Sequence, residues 1–159
     1  MTREELLREA IRLSAENATS GRGGPFGAVV AKGGEVVATG VNRVTSSLDP
    51  TAHAEVVAIR GACAALQAFS LEGCEVFASC EPCPMCLTAA LWADIGRIIY
   101  AVDRHEAAAA GFPQVELYDL FEDPQHTWTV PVGKISIAQS HDPFDAWQRT
   151  KPQREARPR

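Results

Sequence analysis

Glu75-Val76-Phe77-Ala78-Ser79-Cys80-Glu81-Pro82-Cys83-Pro84-Met85-Cys86 is the stretch that decides the fold. Its first five residues, built around Val76, Phe77 and Ala78, predict a short strand over 75–79. Pro82 ends that pattern, and Cys83 to Ala93 continues at helical spacing. Arg97 to Val102, rich in isoleucine, predicts a second strand. A strand, a crossover helix and a further strand form the unit of an α/β layered domain.

The same alternation holds on either side. Upstream, Thr51 or Ala52 to Leu66 predicts a helix, and Asn42 to Pro50 reads as a polar turn region. Phe26–Ala31 and Glu35–Val41 predict two strands joined at Lys32-Gly33-Gly34, a hairpin signal. Glu4 to Glu16 predicts an amphipathic helix, with Leu6, Leu7, Ala10, Ile11 and Ser14 on one face and Thr2 as N-cap. Downstream, His105–Ala110 predicts a short helix stopped by Gly111, Lys134–Ala138 a last strand, and Phe144–Arg149 a last helical turn or two. No repeat or linker interrupts the chain, so one domain over 1–159 is expected.

Composition narrows the class. The chain has 159 residues, 46% hydrophobic and 22% charged, which suits a globular domain with a full core and excludes disorder. No run approaches the roughly 20 apolar residues of a membrane span. Met1-Thr2-Arg3-Glu4-Glu5 is charged and reads as no signal peptide, so a cytoplasmic location is expected. The net charge is −5, yet Arg149, Lys151, Arg154, Arg157 and Arg159 crowd the end of the chain. The remaining body is therefore more acidic still, which argues against a nucleic-acid partner.

Chemistry gathers at two helix starts. His53-Ala54-Glu55 opens one, and Pro82-Cys83-Pro84-Met85-Cys86 opens another. Cys83 and Cys86, three apart in a first turn, can turn both sulfurs to one point. One imidazole and two thiolates form the ligand set of a catalytic zinc that keeps a fourth position open. Glu55 would then reach water at that position and move protons as base and acid in turn. Competing readings are a closed structural zinc site that includes Cys80, an iron–sulfur cluster, and a Cys83–Cys86 redox pair. The cluster reading lacks the fourth Cys-Pro. The redox pair leaves His53 and Glu55 unexplained. Cys63 and Cys74 read as packing, and His105, His126 and His141 as solvated. Trp92 reads as half core and half pocket wall. Gly21–Gly27 is no phosphate loop, because it precedes a strand.

The paired motif matches the H-x-E and P-C-x-x-C signature of zinc deaminases. Together with Gly23-Gly24-Pro25-Phe26-Gly27-Ala28-Val29, Asp49-Pro50-Thr51-Ala52 and Pro143-Phe144-Asp145-Ala146-Trp147, it resembles the bacterial guanine deaminases of the cytidine deaminase superfamily over nearly the whole chain. The resemblance implies a three-layer α/β/α sandwich around a five-stranded mixed sheet. It also implies a homodimer that exchanges its C-terminal segment, 141–159. By resemblance, His53, Cys83 and Cys86 hold Zn²⁺ and Glu55 is the proton shuttle. Asn42 and the Ala54 N–H hold the substrate's carbonyl oxygen, and Phe26 lines the pocket. Where the family places an acid against the purine N–H groups this chain has Gln114, with Glu116 two residues on. Glu81, Glu116, Asp142 and Asp145 are the acids able to take that role. The expected reaction is conversion of guanine to xanthine and ammonia. Alternatives are deamination of guanosine, cytosine, ammeline or adenosine in tRNA, or a silent zinc-bound dimer that senses a nucleobase.

Overall fold

The computed structural model describes residues 1–112, 115–122, 130–135 and 137–149. It forms two compact units, Met1–Glu122 and Asp123–Arg159. In the first, α1 (Arg3–Thr19) leads to the hairpin β1 (Gly27–Lys32) and β2 (Glu35–Val41). A single helical turn, α2 (Val44–Ser47), then precedes α3 (Ala54–Leu66) and β3 (Cys74–Cys80). They are followed by α4 (Pro84–Trp92), β4 (Arg97–Val102), α5 (Arg104–Ala109) and α6 (Val115–Glu122).

The sheet has the order β2-β1-β3-β4. β1 pairs antiparallel with both β2 and β3, whereas β3 and β4 run parallel across the α4 crossover. Gly33 and Gly34 both carry positive φ, as the two-residue hairpin turn requires. Side chains alternate across the sheet and so build two cores. Ala28, Val30 and Val76 meet Ala54, Ala58 and Ile59 of α3 and Ala90 of α4 on one face. Val29, Ala31 and Phe77 meet Leu6 and Ala10 of α1 on the other. This is the expected three-layer sandwich. β1 is buried along five consecutive residues because both its faces are covered.

The mixed sheet differs from expectation in count. It has four strands among the described residues, not five. Lys134, Ile135 and Ile137, in the stretch expected as the last strand, are neither strand nor helix, and Ala138 opens a 3₁₀ turn to His141. The alternation of Ile135 and Ile137 mimicked a half-buried strand, but both are exposed. α6 was not expected, and neither was the turn of helix inside 42–50. The second unit's helix, α7 (Asp142–Arg149), starts two residues earlier than expected. No helix among the described residues is long and apolar enough to cross a membrane.

Thr2 caps α1 as expected. Its Oγ1 accepts from the Glu5 N–H at 3.2 Å, and the Glu5 carboxylate accepts from the Thr2 N–H at 2.8 Å. Gly40 sets how closely α3 lies on β2, since a Cβ there would stand 2.1 Å from the Ala54 carbonyl oxygen. Only a residue without a side chain lets the start of α3 sit where it does.

Candidate metal centre and substrate pocket

α3 and α4 both begin with a residue of the expected ligand set. His53 is the N-cap of α3 and Cys83 the N-cap of α4, each with extended backbone and neither with a side-chain capping bond. Pro84, next in the chain, is preorganised for a first helical position. Cys86 follows within the same turn, three residues beyond Cys83, and is fully buried.

These three side chains converge. His53 Nδ1 lies 3.6 Å from Cys83 Sγ and 3.5 Å from Cys86 Sγ, and the two sulfurs are 3.6 Å apart. Tetrahedral zinc with ordinary bond lengths would separate nitrogen from sulfur by about 3.6 Å and sulfur from sulfur by about 3.8 Å. The triangle therefore fits zinc within a few tenths of an ångström. Among the described residues it is the group of histidine, cysteine and acid side chains so assembled.

Cys80 stands outside the triangle. It is buried beside the pocket, and burial pushes its thiol up to about 11. A closed four-ligand site would need Cys80 in that group, and the group is His53, Cys83 and Cys86. The hydrogen bond shared with Cys86, chiefly, holds the Cys83 thiol well below its ordinary range. Positive helix starts favour thiolate in the same way.

A cavity of about 410 Å³ reaches His53 and Glu55. The Glu55 side chain is buried and its Oε2 lies 3.5 Å from Cys86 Sγ. Desolvation, chiefly, pushes its pKa up, with the Cys83 thiolate adding to it. A carboxyl so placed takes and returns a proton more readily near neutral pH than an exposed one.

Asn42 lines the same cavity. Its Oδ1 accepts from the Gly24 N–H at 3.4 Å and the Val44 N–H at 3.3 Å. The amide is thereby oriented at the cavity. The Ala54 N–H belongs to the first turn of α3 and has no intrahelical acceptor. Phe26 forms a wall, and Phe112 meets it edge-on with ring centroids 5.1 Å apart.

Glu81 also lines the cavity, but Arg104 holds both its oxygens, with Nη2 to Oε1 at 2.6 Å and Nε within 3.1 Å of each. That pairing keeps its carboxyl below the ordinary range. Arg104 in turn lies 3.5 Å over the Tyr118 ring, and the Tyr118 hydroxyl donates to the Pro82 carbonyl. The loop that carries Cys83 is thus clasped from α5 and α6. Gln114 lies outside the described residues; Glu116 sits in α6, while Asp142 and Asp145 belong to α7 in the other unit. Trp92 is no pocket wall. It ends α4 60% exposed, outside the lining of the cavity among the described residues. His105 and His141 are exposed as expected, and His126 lies outside the described residues.

Sequence reading missed Phe112, Arg104 and Tyr118. Gly111-Phe112, an apolar residue straight after a helix-stopping glycine, was the available signal for the first. Nothing local marks the other two, whose partners lie 23 and 36 residues away.

Residues 1–102 match the family model of the cytidine and deoxycytidylate deaminase zinc-binding region. The chain is 45% identical to guanine deaminase of Bacillus subtilis over 148 residues, 93% of this chain and 95% of that one. A crystal structure of guanine deaminase from that organism superposes with a TM-score of 0.93, at 43% identity over 98% of this chain and 99% of the other. The tRNA-specific adenosine deaminase of Aquifex aeolicus is 35% identical over 78% of this chain and 79% of its own. A further solved protein, in complex with 8-azaguanine, shares 30% identity over 72% of this chain and 66% of its own, with a TM-score of 0.68. The chain therefore belongs to the cytidine and deoxycytidylate deaminase zinc-binding family.

Proposed function

We propose that this chain is a guanine deaminase that hydrolyses the free base to xanthine and ammonia. The observation that carries the reading is the buried Glu55 carboxyl beside the His53–Cys83–Cys86 triangle, at one end of a cavity that also receives the Asn42 amide. His53, Cys83 and Cys86 would hold zinc, which supplies an activated water at neutral pH. Glu55 takes a proton from water and passes it to the ring nitrogen beside the amino-bearing carbon. The hydroxide left behind adds to that carbon, and the freed Glu55 carboxylate takes the new hydroxyl's proton and delivers it to the departing amine as the C–N bond breaks, so that one carboxylate serves both halves of the reaction. The Asn42 NH₂ and the Ala54 N–H hold the carbonyl oxygen. Guanine carries that oxygen next to its amidine edge, and adenine does not. Phe26 and Phe112 offer flat apolar walls to a planar base. The 8-azaguanine complex of a relative supports a purine-like ligand.

The assembly reading is a homodimer in the cytoplasm. Leu87, Leu91 and Trp92 of α4 are exposed, as are Tyr100 and Val102 of β4. A second copy covers this apolar face, and residues 141–159 with Phe144 and Trp147 are exchanged between copies, bringing Asp145 to the partner's pocket. Ammonia release from guanine, guanosine, cytosine, ammeline and a tRNA anticodon stem tests the substrate. Consumption of guanine to xanthine is expected. Turnover of the tRNA or of guanosine with guanine untouched would overturn the assignment.

A further inference from the structure

Three groups that border the cavity, Gly24, Phe26 and Asn42, are loop or strand-end residues. Backbone bonds link them to one another: the Phe26 N–H donates to the Gly24 carbonyl at 2.8 Å, and the Asn42 N–H to the Phe26 carbonyl at 3.1 Å. What anchors the set is a side chain from the opposite face of the sheet. Asn17, on α1, is 5% exposed and does not line the cavity. Its Nδ2 donates to the Gly24 carbonyl at 2.8 Å and to the Asn42 carbonyl at 3.0 Å. The fit is tight, since a Cβ on Gly23 would lie 2.1 Å from the Asn42 carbonyl oxygen and 2.8 Å from Asn17 Nδ2.

From this geometry we infer that Asn17 is a positioning residue for substrate binding, whose buried amide fixes Gly24 and Asn42 so that the Asn42 NH₂ faces the ligand. The inference rests on the proposed role of Asn42 in holding the substrate's carbonyl oxygen. The chemistry asks for an amide. Two carbonyl oxygens must be met by two N–H donors from one atom, which a serine hydroxyl cannot supply. An aspartate would turn an acceptor toward two acceptors. The same donor pair sets the Gly24 backbone, whose N–H is one of the two that orient the Asn42 amide. Asn17 therefore acts on Asn42 twice, through its carbonyl and through its side-chain oxygen.

A double-mutant cycle on the zinc-loaded protein separates this role from general support of the fold. Binding of 8-azaguanine and KM for the substrate are measured in wild type, Asn17→Ala, Asn42→Ala and the double variant, with zinc per chain counted in each. Asn17→Ala is expected to weaken binding about tenfold or more, with zinc content unchanged. In the Asn42→Ala background the same change should cost less than about twofold. Should Asn17→Ala not fold, Asn17→Ser, which keeps one donor, carries the same comparison. An equal loss in both backgrounds would overturn the inference, because Asn17 would then act without Asn42. No loss in the wild-type background would overturn it too. A wild type that releases ammonia from no base at all instead refutes the proposed function, and the inference falls with it.

Discussion

Gly40→Ala adds a single methyl group and should damage the site from across a helix. Its Cβ would stand 2.1 Å from the Ala54 carbonyl oxygen, 2.5 Å from the Ala58 nitrogen and 3.1 Å from the Ala58 Cα. All three are backbone atoms, so no rotamer change relieves the clash. To reach the 3.4 Å of ordinary contact from 2.1 Å, the first turn of α3 must retreat by about 1.3 Å. That turn carries His53 and Glu55. Metal sites tolerate about 0.2 Å in their bond lengths, so the triangle with Cys83 and Cys86 opens. Overpacking of this kind costs about 1–3 kcal/mol, or a fall in Tm of about 2–12 °C in a domain of this size. A displacement of about 1 Å in a catalytic group costs around a hundredfold in rate. Thermal melts, zinc content after dialysis and ammonia release read the three effects together. Gly61→Ala is the comparison, on the same helix. Among the described residues its Cβ would meet only the Ala38 Cβ, at 3.3 Å, which needs a shift of a few tenths of an ångström at most, and it gains up to about 1 kcal/mol of helix propensity. If Gly40→Ala melts within about 1 °C of wild type, or if Gly61→Ala is equally harmful, close approach at residue 40 is not what seats α3.

Three further outcomes test the site. Glu55→Gln should keep zinc and fold but lose activity by at least about 10²–10⁴-fold; activity within tenfold of wild type would mean another group moves the proton. Cys83→Ala should lose zinc while Cys80→Ser keeps about one per chain, and a metal-free Cys80→Ser protein would show a closed four-ligand site. Tyr118→Phe, which removes the only donor recorded for the Pro82 carbonyl among the described residues, should speed zinc loss to a chelator several-fold with little change in Tm; an unchanged loss rate would show that the Cys83 loop needs no clasp.

Layer order and the metal triangle were legible because they rest on local signals. The alternation of strands and helices along the chain places the sheet between helices, and the structure divides 28–31 and 76–77 between the two cores on its faces. The spacing of Cys83 and Cys86 needs only one helical turn to bring their sulfurs together. Helix starts were less legible. The expected start of α3 at Thr51 or Ala52 lies two to three residues before its start at Ala54, and the Thr51 hydroxyl donates to the Asp49 carboxylate. The true N-cap, His53, is a poor one by propensity. The role of Glu81 was beyond the sequence because its acid reads as free until Arg104 folds over it from α5. Asn17 left a faint trace, a polar residue continuing the buried stripe of Leu6, Ala10 and Ser14. Such a residue calls for a buried partner without saying which.

Where α1 and α5 are closed by Thr2 and Asp103 through ordinary hydrogen-bonded caps, α3 and α4 have none. Their first residues are turned toward a common point instead. An ion at that point would join two places thirty residues apart in the chain, and the loop so closed holds all of α3 and β3. Treated as a crosslink, a loop of that length removes about 3–4 kcal/mol of chain entropy from the unfolded state. The ion would then be a fastener as well as a reagent, and part of its binding free energy would be folding free energy. A chelator would act on this protein twice, silencing the pocket and loosening the stretch from His53 to Cys86.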